Sequence, residues 1–250
     1  MKVLLTGAAG NLGGKLRRHL EGRHELRLLD RNAHGDPQIE QADLSCWDER
    51  WFEEFADVDA VIHLAADPTA HQAWEALVGP NLDALINVFE AAARAGVQRL
   101  IYASSNHVMG GYQALPAPRW LTTDLPPLPG AHYTTEGEPR NSVAYGAAKL
   151  FGERLGKCYS EFHGITVIAV RIGWVRAGDN RAADLPAGRD DWFARMWLSN
   201  RDFCRLMDCC LEAQLTTRFA IINGMSNNEA MRWDMAHTRE VVGFVAEDAA

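Results

Sequence analysis

Apolar residues along this chain follow two alternating patterns. Short, nearly unbroken runs at 2–6, 25–29, 38–43, 60–64, 100–103, 166–172 and 218–223 are rich in Val, Ile, Leu and Ala, as parallel strands buried on both faces should be. Between them, 15–20, 47–55, 81–96, 145–163 and 201–212 carry apolar residues at helical spacing, and a last short helix ends at Gly243. Leu82, Leu85, Ile86, Phe89, Ala92 and Ala93 share one side of the 81–96 helix, which ends at Gly96, a suitable C′ residue. Strand and helix alternate throughout, so the pattern predicts an α/β fold built on a doubly wound parallel sheet. Two stretches break it. Residues 110–141 hold six of the ten prolines with almost no period, and 176–195 is irregular and bears Arg176, Arg181, Arg189 and Arg195. A loop as long as the first belongs in a compact domain only if it shapes a site or moves. With no repeat or linker in view, the chain is expected to be one Rossmann-type domain over 1–250, with substrate-binding segments at about 110–142 and 174–250.

The first strand breaks into Gly7-Ala-Ala-Gly10-Asn11-Leu12-Gly13 before its helix. Glycine has no Cβ, so such a turn lets backbone N–H groups approach a ligand, and the helix N-terminus behind it favours a pyrophosphate. Asp30 ends the second strand, close to the offset from Gly13 that the dinucleotide fingerprint requires of its acid. A carboxylate there accepts from an adenosine ribose and repels a 2′-phosphate, which predicts NAD, while neighbouring Arg31 pulls toward the phosphate. Asp43-Leu44 has two readings, an adenine contact or a helix N-cap at Asp43. His63 is expected to be a packed strand residue, and Leu64-Ala65-Ala66 are small enough for a dinucleotide to lie across the strand ends.

Composition narrows the classes. Hydrophobic content of 47% with 23% charged residues is ordinary for a globular protein. The net charge of −8 argues against broad binding to nucleic acid or an anionic membrane. No apolar run approaches the roughly 20 residues of a bilayer span, and the chain enters its first strand at once. No signal peptide and a cytoplasmic protein are therefore expected. Five cysteines in neither an even framework nor a C-x-x-C pattern are expected to be reduced core thiols, and no metal is called for.

The chemistry sits at the end of the fifth strand, where open parallel sheets gather ligands. Ser105 stands there, followed by Asn106 and His107, and at the start of the next long helix Tyr145 and Lys149 are one helical turn apart. An alcohol releases hydride readily only if its proton leaves too, so a base must stand beside the reacting carbon. Bringing a tyrosine from its ordinary pKa near 10 to about 7 needs roughly 4 kcal/mol of anion stabilisation. A nearby ammonium is expected to supply much of it, with the positively charged nicotinamide ring adding more, and Ser105 to donate to the reacting oxygen.

Gly7-x-x-Gly10-x-x-Gly13, Asp30, Asp43-Leu44, His63-Leu-Ala-Ala66, Asn81, Ser105, Tyr145-x-x-x-Lys149 and Arg171-Ile172-Gly173 resemble the extended short-chain dehydrogenase/reductase family over nearly the whole chain. Ala103-Ser-Ser-Asn-His107, Val170-Arg-Ile-Gly173 and Trp197-Leu-Ser-Asn-Arg-Asp-Phe203 are similar to the uronate dehydrogenases and their relatives that oxidise glucose 6-phosphate with NAD. The resemblance implies that Ser105, Tyr145 and Lys149 are catalytic and that Asn106 and His107 touch sugar hydroxyls. Asn81 and Ile172 are implied in cofactor binding. The implied reaction is oxidation of an aldopyranose at C1 to the lactone, with Tyr145 taking the proton from a small sugar. The 81–96 and 145–163 helices are expected to build the contact of a homodimer or higher homo-oligomer. Uronate dehydrogenases place a carboxylate-gripping arginine where this chain has Trp192, so Arg195 or Arg189 is expected to take over, on a sugar with an anionic C6 group. A nucleotide-sugar epimerase is the enzymatic alternative, although the stretch after Gly173 is short for the lobe that would hold a nucleotide. A dinucleotide-sensing regulator without chemistry is the other, and it would dispense with Tyr145 or Lys149.

Overall fold

The computed structural model describes residues 1–185 and 191–250. Its strands are β1 (Lys2–Thr6), β2 (Glu25–Asp30), β3 (Ile39–Gln41), β4 (Ala60–His63), β5 (Arg99–Ser105), β6 (His132–Thr135), β7 (Glu138–Asn141), β8 (Thr166–Ile172) and β9 (Phe219–Gly224). Its helices are α1 (Asn11–Leu20), α2 (Glu49–Phe52), α3 (Trp74–Leu77), α4 (Ala84–Arg94), α5 (Val143–His163), α6 (Asp191–Arg195), α7 (Asn200–Glu212) and α8 (Ala236–Val242). Seven strands form one parallel sheet in the order β3-β2-β1-β4-β5-β8-β9. The chain builds outward from β1 in both directions, so the strand order reverses between β1 and β4. A crevice must open at the strand ends there.

Alternate strand residues feed two cores. Val3, Leu5, Ile62, Ile101, Ile168 and Val170 meet α1 and α7 on one face, through residues such as Leu16 and Phe203. Leu4, Val61, Leu100, Tyr102, Val167 and Ala169 meet α2, α4 and the flank of α5 on the other. A third cluster, with Val108, Met109, Trp192, Phe193, Met196, Met225 and Trp233, lies beyond the ends of β5, β8 and β9. It walls the far side of the crevice.

The differences from the sequence pattern are local. The 81–96 helix starts at Ala84, behind a π-helical turn at Val78–Asp83, and its buried side is narrower than expected: Leu85, Phe89 and Ala92 are buried, whereas Ile86 is exposed. The 110–141 stretch contains an antiparallel hairpin, β6–β7, turned at Glu136 (φ 54°) and Gly137 (φ 78°). Its strands bury too little to leave an alternating pattern. Among the described residues, no helix is long and apolar enough to cross a membrane.

Candidate active site

A cleft of about 420 Å³, within the usual size range of small-molecule sites, runs across the C-terminal ends of β1, β2, β4, β5 and β8. At its β1 end the backbone leaves no room for side chains. Gly7 has φ 72°, and a Cβ on it would lie 2.7 Å from Ala65 N; a Cβ on Gly13 would lie 2.0 Å from Gly7 O. The N-terminus of α1 has no side-chain cap and no acidic residue in its first turn, which leaves its N–H groups to an external anion. Asn11 and Lys15 tie this turn across the cleft: Asn11 Nδ2 donates to Val175 O (3.1 Å), and Lys15 Nζ donates to Arg176 O (2.6 Å) and to Asn11 Oδ1.

Asp30 is aimed by backbone, with Ala9 N donating to Oδ2 (2.9 Å) and Asn32 N to Oδ1 (3.0 Å). Arg31 lines the same end of the cleft. Asp43 also lines it, with Leu44. Its Oδ1 accepts from the N–H (3.0 Å) and hydroxyl (2.7 Å) of Ser45, which hold its carboxyl below the usual range. It caps no helix; Asp48 caps α2, accepting from Arg50 N at 2.9 Å. Of the two readings of Asp43, the N-cap is excluded. Together, a cradle closed to Cβ atoms, an open helix N-terminus and oriented carboxylates at the β2 end fit a dinucleotide.

At the other end, α5 lies against β5 so that Tyr145 and Lys149 face Ser105. Ser105 Oγ accepts from His107 N (3.2 Å), and its hydroxyl stands close enough to the Tyr145 phenol to lower its pKa. Lys149 Nζ donates to Ala103 O (2.9 Å), 5.7 Å from the centroid of the Tyr145 ring. Asn106 Nδ2 donates to Ile172 O (3.0 Å), while its buried Oδ1 has no partner among the described residues and remains an acceptor beside the cleft. His107 packs edge-on against Tyr145 at 5.6 Å, and burial pulls its pKa down to about 4, so its imidazole is neutral.

The electrostatics correct one expectation. Lys149 does not by itself make the Tyr145 phenol acidic. Burial pushes that phenol up to about 12, with the Ser105 hydroxyl pulling down and Asp67 adding to the rise. The lysine is desolvated too, and its own pKa falls to about 8. Taking the ring out of water costs the phenolate more than its polar neighbours return.

Gly7, Gly10, Asn11, Leu12, Gly13, Asp30, Arg31, Asp43, Leu44, Leu64, Ala65, Ala66, Ser105, Asn106, His107, Tyr145, Lys149 and Ile172 all line the cleft. Asn81 does not: both ends of its amide bracket the Asp67 backbone, accepting from N (2.8 Å) and donating to O (3.1 Å). Arg195 is not among the lining residues either, and Arg189 lies outside the described residues. Trp192 is buried against Trp233, with ring centroids 4.6 Å apart. The sequence pattern missed the wall of Trp174, Phe193 and Met196, and also Asp67 and His34. The wall is set by pairing of 173–175 with 196–198, including Trp174 N to Met196 O (2.7 Å) and Leu198 N to Trp174 O (3.0 Å). Isolated bridges of this kind have no period to read. His63 is buried, bonded to Thr6 Oγ1 (2.7 Å) and held neutral by burial, with a pKa of about 3, as a packed strand residue should be.

Residues 3–184 match the model of the NAD dependent epimerase/dehydratase family. The chain belongs to this family. It is 34% identical over 261 residues to an NAD-dependent glucose-6-phosphate dehydrogenase of Haloferax volcanii, covering 98% of this chain and 93% of the relative. An L-arabinose 1-dehydrogenase (NAD(P)(+)) of the same organism is 31% identical, with 99% and 96% covered. Among solved structures, a tyrosine-to-alanine mutant of uronate dehydrogenase from Agrobacterium tumefaciens, complexed with NAD, superposes with a TM-score of 0.79 at 29% identity. The match covers 100% of this chain and 85% of that one.

Proposed function

We propose that this protein is an NAD-dependent sugar 1-dehydrogenase that oxidises the C1 hydroxyl of an aldopyranose to the lactone. The observation that carries the proposal is the convergence of Ser105, Tyr145 and Lys149 at one end of a cleft whose other end is a dinucleotide cradle. The relatives named for oxidation of glucose 6-phosphate, L-arabinose and uronates support it.

NAD would be held by the 7–13 turn, Asp30, Arg31, Asp43, Leu44 and 64–66, with Lys149 and Ile172 at its reactive end; when bound it supplies the hydride acceptor and a positive charge near Tyr145. Tyr145 accepts the C1 hydroxyl proton. Ser105 orients that oxygen through its hydroxyl. Lys149, fixed by Ala103 O, holds an ammonium under the phenol and stabilises the phenolate once it forms. Asn106 and His107 grip neighbouring hydroxyls, which holds C1 rather than another carbon at Tyr145.

The C6 group is read as anionic, on the strength of the glucose-6-phosphate and uronate relatives, with Arg189 as the cation to test. A neutral aldose is the second reading, favoured by the apolar wall of Trp174, Phe193 and Met196 and by the L-arabinose relative. A panel of glucuronate, galacturonate, glucose 6-phosphate, 6-sulfoquinovose, L-arabinose and glucose, followed by NAD reduction, decides between them. Turnover of any of these supports sugar 1-oxidation, and inertness toward all of them with turnover of a nucleotide sugar would overturn it. An Arg189→Gln variant should weaken only the C6 acids.

We also propose that the chain folds as one domain, with 110–142 and 174–250 shaping the sugar side, and works in the cytoplasm as a homodimer or larger homo-oligomer. Exposed Ile86 on α4 and Phe151 and Phe162 on α5 supply an apolar face for the contact, and sedimentation measures it.

A further inference from the structure

Ser142 precedes α5 as its N-cap residue, and serine there ordinarily turns its hydroxyl back onto the first turn of the helix. Here it makes no such bond. Instead Asn141 Oδ1 takes the Val143 N–H (3.0 Å), and the Ser142 side chain, fully buried, points inward. Ser142 Oγ accepts from Ala131 N at 2.8 Å and lies 2.6 Å from His107 Nδ1. The serine is held from a second direction by its own N–H, which donates to Ala131 O (3.1 Å), and His107 is held by Gly130 N, which donates to His107 O (3.0 Å).

The position of the proton in this pair follows from what each group lacks. The serine oxygen already accepts from Ala131 N–H, so its own hydroxyl proton needs an acceptor, and the lone pair of His107 Nδ1 is the acceptor within reach. If the imidazole donated instead, the serine proton would be buried with nothing among the described residues to receive it, a cost native interiors avoid. A neutral imidazole that accepts at Nδ1 carries its hydrogen on Nε2.

We propose that Ser142 is a positioning residue that holds His107 as the Nε2–H tautomer, so that His107 meets the substrate as a hydrogen-bond donor. The inference rests on the sugar-dehydrogenase reading of the cleft and deepens it. Asn106, its amide N–H₂ donating to Ile172 O, keeps a buried oxygen with no partner among the described residues, an acceptor a substrate hydroxyl would satisfy, and His107 next to it offers a donor. The pair suits a substrate face that offers an oxygen lone pair beside a hydroxyl, as neighbouring positions of an aldose ring do. It also explains why the serine gives up its capping bond.

The test reads the tautomer directly. In protein labelled with ¹⁵N-histidine and kept free of sugar, long-range proton–nitrogen correlations at neutral pH are expected to show His107 as Nε2–H, and in Ser142→Ala to show Nδ1–H or a mixture. In the same variant KM for the sugar should rise about tenfold, the worth of one such hydrogen bond, with kcat changed less and the Kd for NAD unchanged. An Nδ1–H signal in the parent overturns the proposal whether or not the variant folds. A Ser142→Ala protein that keeps both the Nε2–H signal and its KM overturns it too. Because the spectrum is recorded without sugar, failure of the substrate panel and failure of this inference are separate results.

Discussion

Two buried ionisable residues stand one turn apart on α5, and their surroundings are opposite. Glu153 is 1% exposed and fully answered: Arg171 Nε and Nη2 donate to its two oxygens at 2.8 Å each, and Ser104 Oγ donates at 2.7 Å. Lys149, at 5%, has the Ala103 carbonyl and the faces of Tyr102 and Tyr145, and no described carboxylate pairs with it. The lower turn clamps the helix to β5 and β8. The upper turn keeps a cation desolvated, in a state water would not permit. A site can hold an uncomfortable charge if the element carrying it is fastened close by, and here the fastening is the next residue down the same face.

The contrast can be broken from either side. The largest effect is expected at Tyr145→Phe, which should cut kcat about 10³-fold while leaving NAD affinity, read by calorimetry, and the denaturant midpoint near those of the parent. Next comes Glu153→Gln. It leaves Arg171 buried without its counter-charge and should cost about 3–5 kcal/mol in urea unfolding; if the cost is negligible, the clamp is not what holds α5. Lys149→Met should move stability the other way while abolishing turnover. With the folded pKa at about 8 against an ordinary 10.5, the parent carries a penalty of about 3 kcal/mol at neutral pH. That penalty is complete below pH 8, because the unfolded chain holds the proton that the folded chain resists. It fades as pH rises from about 8 to about 10.5, so the variant's advantage should shrink across that window. The smallest effect belongs to the far end of the helix, where Tyr159→Phe deletes a part-exposed hydrogen bond to Glu90 (3.0 Å). It should cost less than about 1 kcal/mol and leave activity untouched.

The cofactor side of the cleft was readable from the chain because local rules produce it. An apolar strand, glycines where a Cβ would strike Ala65 or Gly7, and a carboxylate at the next strand end all lie between Met1 and Asp30. Tyr145 and Lys149 were readable because one helical turn is a fixed spacing. The sugar side was not. Trp174, Phe193 and Met196 meet through an isolated bridge between distant segments, and the Glu153–Arg171 clamp joins a helix to the strand that follows it with no spacing rule to announce it. Asn81 was implied in cofactor binding only by the family resemblance, and its amide is consumed by the Asp67 backbone. Sequence proximity also suggested that the ammonium would dominate the phenol, because burial, which opposes it, is a property of the whole fold.

The central claim is that the fold alone holds Tyr145 protonated, and that a second positive charge entering the cleft releases it as a base. Tyrosine ring-carbon NMR of Tyr145, titrated with and without NAD, tests this most directly. The account predicts a phenol still protonated at about pH 10 in the free protein, where an ordinary tyrosine is half ionised, and ionised well below that pH when NAD is bound. A phenol that ionises below pH 10 without NAD, or one whose titration NAD leaves unchanged, would contradict it.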